Sequence, residues 1–169
     1  MRIFGLAGWS GSGKTTLMTA LIPELVSRGI TVSTLKHAHH AFDVDQPGKD
    51  SWRHRQAGAE EVMVSSPARW ALMHELRGAP EPSFEELVRR MSPVDLLLVE
   101  GFKRYPHPKI EVYRPSLGKP LLHPEDPSVV AIASDEALPG LALPWLPLSD
   151  GGAIADFILG HDGCEQWPS

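Results

Sequence analysis

Gly8-Trp9-Ser10-Gly11-Ser12-Gly13-Lys14-Thr15 fits the pattern G-x-x-x-x-G-K-[ST], and the chemistry needs these residue types at this spacing. Gly11 and Gly13 let the backbone turn tightly and aim consecutive N–H groups inward at phosphate oxygens. A helix opening at Lys14 adds its positive N-terminal end. Lys14 can reach the β- and γ-phosphates of a nucleotide, and the Thr15 hydroxyl can ligate Mg²⁺. The alternative is a glycine-rich turn that only packs a helix on a sheet.

A nucleotide-bound Mg²⁺ also calls for a carboxylate at the end of a second apolar strand. Asp95-Leu96-Leu97-Leu98-Val99-Glu100-Gly101 offers one at each end. They lie roughly 16 Å apart at about 3.3 Å per residue, so only one can face the phosphates. Ligands of open parallel sheets bind at the C-terminal ends of the strands. That selects Glu100 and leaves Asp95 as a strand-start or surface residue. Gly101 can offer a backbone N–H to the γ-phosphate. The alternative for Glu100 is a solvated loop carboxylate.

Lys36-His37-Ala38-His39-His40 follows a β-branched run and precedes a polar loop with Asp43, Asp45, Lys49, Asp50, Arg53, His54 and Arg55. The three imidazoles can ligate a metal, grip an anion, or simply be solvated. The loop's cations, Lys36, Lys49, Arg53 and Arg55, can neutralise a second anion beside a triphosphate. Asp135 ends the apolar run Val129–Ser134. Its carboxylate can accept hydrogen bonds from guanine N1 and N2, or it can cap the turn into Glu136-Ala137-Leu138.

These residues need a scaffold that brings strand ends together. Arg2–Ala7 reads as a buried strand, and Lys14–Arg28 as a helix with Leu17, Leu21 and Leu25 on one face. Pro23 should kink or weaken that helix, and Gly29 suits its C-terminal cap. Ile30–Leu35 reads as the next strand, completing a βαβ unit and implying a parallel sheet. Ser51–Ala59 reads as a short helix, and Glu61–Ser65 with Trp70–Leu76 as a strand pair around Ser66-Pro67. Ser83-Phe84-Glu85-Glu86 is a capping box opening a helix over Phe84–Met91. Asp95–Val99, Lys109–Tyr113, Val129–Ala133 and Trp145–Leu148 read as strands, and Ala153–Leu159 as a closing helix. The fold class expected is α/β: a P-loop NTPase with a mostly parallel sheet flanked by helices and some antiparallel strands. Residues 1–160 read as one nucleotide-binding domain and 161–169 as a tail.

The 169 residues include a single cysteine, Cys164, which excludes an internal disulfide. A net charge of −5 argues against bulk nucleic-acid binding. No apolar run approaches the ~20 residues needed to span a bilayer, so no membrane is expected and a cytoplasmic setting is.

Three stretches together resemble the molybdopterin-guanine dinucleotide biosynthesis protein B family. They are Gly8–Thr15; Leu35-Lys36-His37 through Asp45-Gln46-Pro47-Gly48-Lys49-Asp50-Ser51-Trp52-Arg53 to Ala57-Gly58-Ala59; and Leu97-Leu98-Val99-Glu100-Gly101-Phe102-Lys103. The resemblance implies a P-loop GTP-binding homodimer with weak GTPase activity. It would assist a partner guanylyltransferase that attaches GMP to molybdopterin. It places GTP phosphates on Ser10, Gly11, Ser12, Gly13, Lys14 and Thr15, with Thr16 beside them, and Mg²⁺ on Thr15 and Glu100 with Asp50 nearby. Lys36, His37, Lys49, Asp50 and Lys103 would line the same mouth, where molybdopterin can also bind. Lys14 and Glu100 would serve any hydrolysis. Ala41 departs from the acid expected there. Two other readings stay open: a P-loop small-molecule kinase, and a nucleotide-gated metallochaperone using His37, His39 and His40.

Overall fold

A computed structural model describes residues 1–38, 42–103 and 105–163. His39, His40 and Ala41, Cys164 and most of the expected tail therefore lie outside the described residues. In chain order the elements are β1 Arg2–Ala7, α1 Lys14–Ser27, β2 Val32–Lys36, α2 Asp50–Gln56, β3 Glu61–Ser65, β4 Trp70–His74, α3 Phe84–Arg89, β5 Leu96–Glu100, β6 Lys109–Tyr113, β7 Val129–Ser134, β8 Trp145–Pro147 and α4 Gly151–Gly160. They form two compact units, Met1–His37 with Met91–Ser169, and Ala38–Arg90.

The larger unit is built on a six-stranded sheet of order β2-β5-β1-β6-β7-β8. Every pairing in it is parallel. Side chains alternate across a strand, so Phe4 and Leu6 share a face with Leu96, Leu98, Ile110, Val112, Ala131 and Ala133. Leu17, Met18, Leu21 and Leu25 of α1 and Ile154, Ala155 and Ile158 of α4 cover that face in one buried cluster. Each leucine, isoleucine and methionine among them contributes about 1.5–3 kcal/mol on burial. Arg2, at the start of β1, donates to the carbonyls of Ile158, Leu159 and His161 at 2.9–3.0 Å and so fastens the end of α4.

The boundaries differ from expectation for local reasons. Ile30 is not in β2, because its N–H bonds to Leu25 O and that of Gly29 to Val26 O. This is the paired closure of a helix by a left-handed residue, with Gly29 at φ 80°. Pro23 lies within one helical segment, α1. The strand β5 starts after Asp95, whose Oδ2 accepts from the Thr31 N–H and hydroxyl at 2.8 and 2.6 Å. Asp95 thus ties the N-terminal ends of β2 and β5. These hydrogen bonds hold its carboxyl below the usual range.

In the smaller unit β3 and β4 pair antiparallel. Ser83 caps α3, with its hydroxyl accepting from Glu86 N–H and Glu86 Oε2 accepting from Ser83 N–H. The Arg55 guanidinium reaches Asp43, Asp45 and Glu75 at 2.8–3.2 Å. Arg55 was expected to meet an external anion; instead three carboxylates inside its own unit engage it. Among the described residues no helix is long and apolar enough to cross a membrane.

The second face of the larger sheet is partly polar. His107, Lys109 and Glu111 are each 0% exposed. The His107 ring crosses β1 at Gly5, where a Cβ would meet its Nε2 at 2.3 Å. Burial, with Lys109 adding and Asp126 opposing, pushes the His107 pKa down to about 4.

Gly5→Ala is expected to cost about 1–3 kcal/mol as overpacking. Adding it to a His107→Ala background should cost far less, as paired denaturant titrations will read; equal costs in both backgrounds contradict the contact. Between about pH 6.5 and 4 the unfolded chain binds a proton at His107 that the folded chain refuses, so stability should fall as pH falls through that window. The His107 ring protons, followed by NMR, should show a neutral imidazole until near pH 4.

Candidate functional site

β1 lies between β5 and β6, so the loop after β1, the end of β5 and the end of β6 meet at one edge of the sheet. Gly8 sits at φ 146°, and a Cβ there would meet Val112 O at 2.4 Å and Ser12 Oγ at 2.7 Å. Only glycine lets the loop pass so close to β6. The loop then turns through Gly11 at φ 82° and Gly13 at φ 99°, and Leu17 N–H bonds Gly13 O to start α1. Ser10 and Gly11 are exposed at the loop tip, and Thr15 and Thr16 are exposed in the first turn of α1.

The loop's cation lies folded on its own backbone. Lys14 Nζ donates to Gly8 O at 3.0 Å and Trp9 O at 2.8 Å. Burial lowers its pKa; Glu100 opposes this, and Lys103 and Lys36 add to it. Ser12 Oγ is buried with no hydrogen-bond partner among the described residues. A buried hydroxyl without a partner costs about 1–3 kcal/mol, which a phosphate oxygen within reach would recover. The left-handed glycines, the lysine and this hydroxyl fit a phosphate.

Thr15 Oγ1 donates to Glu100 Oε1 at 3.4 Å, and Lys36 Nζ is 3.5 Å from the same oxygen. Hydroxyl and carboxylate together are the hard oxygen donors that Mg²⁺ takes. Glu100 therefore stands at the loop, while Asp95 is at the opposite end of β5. His37 N–H bonds Glu100 O at 2.9 Å, and the His37 ring lies 4.8 Å from that of Phe102. A Cβ on Gly101 would meet the His37 Cβ at 2.9 Å. Lys103 Nζ stands 5.0 Å above the Trp9 ring.

Asp135 follows β7, and its Oδ2 accepts from the Arg114 guanidinium at 2.9 Å. Arg114 also donates from Nε to Ser12 O at 3.1 Å, so it links Asp135 to the phosphate loop. Among the described residues Asp135 makes no side-chain bond to the following turn. Lys49 and Asp50 belong to the smaller unit, where Lys49 precedes α2 and Asp50 opens it. Among the described residues no three His, Cys, Asp or Glu side chains converge as a metal cluster.

Trp9, Arg114 and Lys119 were not singled out from the sequence. Arg114 follows a strand, in the position that identified Glu100, so the same polarity rule applies to it. Trp9 occupies a variable place in the loop motif, and Lys119 sits in a proline-flanked connection; neither carries a sequence signal.

A family model described as molybdopterin guanine dinucleotide synthesis protein B matches residues 3–135. The chain is 44% identical over 163 residues to the molybdopterin-guanine dinucleotide biosynthesis adapter protein of Escherichia coli strain K12, covering 93% of this chain and 91% of that one. It is 45% identical over 160 residues to the protein of the same name from Haemophilus influenzae, covering 92% and 86%. A crystal structure titled molybdopterin-guanine biosynthesis protein B superposes with a TM-score of 0.72 at 28% identity, covering 93% of this chain and 97% of that chain. A homologue from Bacillus stearothermophilus gives 0.67 at 26%, covering 94% and 96%. With the loop, the second carboxylate and the parallel sheet order all in place, the chain belongs to the molybdopterin guanine dinucleotide synthesis protein B family.

Proposed function

We propose that this chain is a GTP-binding adapter in the formation of the guanine dinucleotide of molybdopterin, with weak GTPase activity. The observation that carries the reading is the convergence of Lys14, Thr15 and Glu100 at the loop Gly8–Thr15. The adapter role rests on relatives at 44% and 45% identity that carry that description.

In this reading the triphosphate draws Lys14 Nζ off Gly8 O and Trp9 O onto the β- and γ-phosphates. Loop N–H groups and Ser12 Oγ take further phosphate oxygens. Thr15 and Glu100 would hold Mg²⁺, which would neutralise phosphate charge. The Gly101 N–H faces the γ-phosphate. Asp135 offers its carboxylate to guanine while Arg114 holds it beside the loop. Positioning and charge neutralisation dominate this set, which suits tight binding with slow turnover.

The same reading includes a cytoplasmic homodimer serving a guanylyltransferase. Met63, Trp70 and Leu72 are 61%, 64% and 45% exposed on one face of the β3–β4 hairpin. A second copy would cover that apolar face. With Arg55 engaged internally and Lys36 beside Glu100, Lys49 and Arg53 are the loop cations left for an anionic pterin. Arg53 N–H bonds Lys49 O, which sets the two one helical turn apart.

Calorimetry tests the nucleotide site. Lys14→Ala should weaken GTP on the order of 10- to 100-fold, given ~1.5–3 kcal/mol for hydrogen bonds to charged groups. Glu100→Gln should abolish the gain that Mg²⁺ gives to affinity and slow hydrolysis. Unchanged binding in Lys14→Ala refutes the assignment. Lys49→Ala should reduce support of guanylylation in a reconstituted assay several-fold more than it reduces GTP affinity; equal losses would place Lys49 in nucleotide binding alone.

A further inference from the structure

The strand β6 carries two buried charges on one face, and each fixes a loop. Burying a charge costs several kcal/mol unless it is well paired. Lys109 Nζ donates to Lys103 O at 2.9 Å, Tyr105 O at 2.8 Å and Asp126 Oδ2 at 3.0 Å. The Glu111 carboxylate accepts from Leu122 N–H at 2.7 Å and His123 N–H at 3.0 Å. Lys109 therefore holds the backbone after β5, and Glu111 holds the connection between β6 and β7.

Each held loop brings one lysine to the same indole. Lys103 Nζ is 5.0 Å and Lys119 Nζ 5.9 Å from the Trp9 ring centroid. The indole is itself held, since Trp9 Nε1 donates to Pro120 O at 2.7 Å. Trp9 belongs to the phosphate loop, and Lys103 is near enough to Lys14 to lower its pKa. Among the described residues neither Lys103 nor Lys119 has a carboxylate within ion-pair distance. The chain as a whole carries −5, so two ammoniums without counter-charges beside a lysine-bearing loop are a local excess. Both ammoniums flank one indole, and their flexible stems let a single anion at its edge meet both. Cation–π attraction to the indole favours both ammoniums beside it.

We propose that Lys103, Lys119 and the Trp9 edge form a second anion site that takes the phosphate monoester of a non-nucleotide ligand while GTP occupies the loop. This rests on the nucleotide reading above and gives the adapter a place for the phosphorylated partner of its GTP. The competing source of the same chemistry is the nucleotide's own phosphate chain.

The test uses the full chain saturated with Mg²⁺ and a non-hydrolysable GTP analogue, titrated with inorganic phosphate. Indole N–H signals are followed by NMR, with Trp9→Phe assigning the Trp9 signal among the five tryptophans. The expected result is a saturable shift of the Trp9 signal, with phosphate affinity at least five-fold weaker in Lys119→Ala and retained in Lys119→Arg. Analogue affinity in Lys119→Ala should change less than two-fold. No phosphate-dependent shift in the saturated protein overturns the second site and leaves the nucleotide reading standing. A Lys119→Ala loss in analogue affinity as large as its loss for phosphate assigns the lysine to the nucleotide and also overturns it. Failure of the analogue to bind the unaltered protein overturns the nucleotide reading first.

Discussion

The central place of β1 in an all-parallel sheet is the constraint on which everything at the candidate site depends. A parallel strand runs beside its neighbours with all C-terminal ends on one edge. β1 pairs with β5 on one side and β6 on the other. Gly8, Glu100 and Arg114 therefore leave the sheet together, although they are widely separated along the chain. No loop has to reach far, and single side chains suffice to join them.

The two faces of that sheet do different work. The face under α1 and α4 carries the apolar cluster and supplies stability by burial. The other face places Lys109 and Glu111 at alternate positions of β6, each satisfied by backbone groups of a neighbouring loop. An apolar residue at either place would bury as much surface but hold no loop. The conformational restraint those charges impose falls on the connections that surround the phosphate loop.

Much of this was legible in the sequence because strand polarity is a strong rule. It chose Glu100 over Asp95, and the structure puts Asp95 with Thr31 at the other end of β5. Leucines at four-residue spacing gave α1, and the Ser83–Glu86 pair gave the start of α3. No such rule covers Arg55, since a charge on a polar loop says nothing of the acids the chain folds around it. The Lys103–Trp9–Lys119 grouping was equally hidden, because it joins three connections through contacts that leave no periodicity.

The strand order also bears on how the protein is made. β1 leaves the ribosome well before its neighbours, since β5 and β6 begin about ninety and a hundred residues later. At about 5–20 residues per second, β1 waits on the order of 5–20 s for its neighbours. Such long-range pairings also fold slowly. Until β6 arrives, Gly8 has no Val112 to lie against and Lys14 has no fixed cradle. The geometry of the Gly8–Thr15 loop is thus reached only once β6 has been made, and a translation product cut short before Val112 cannot form it.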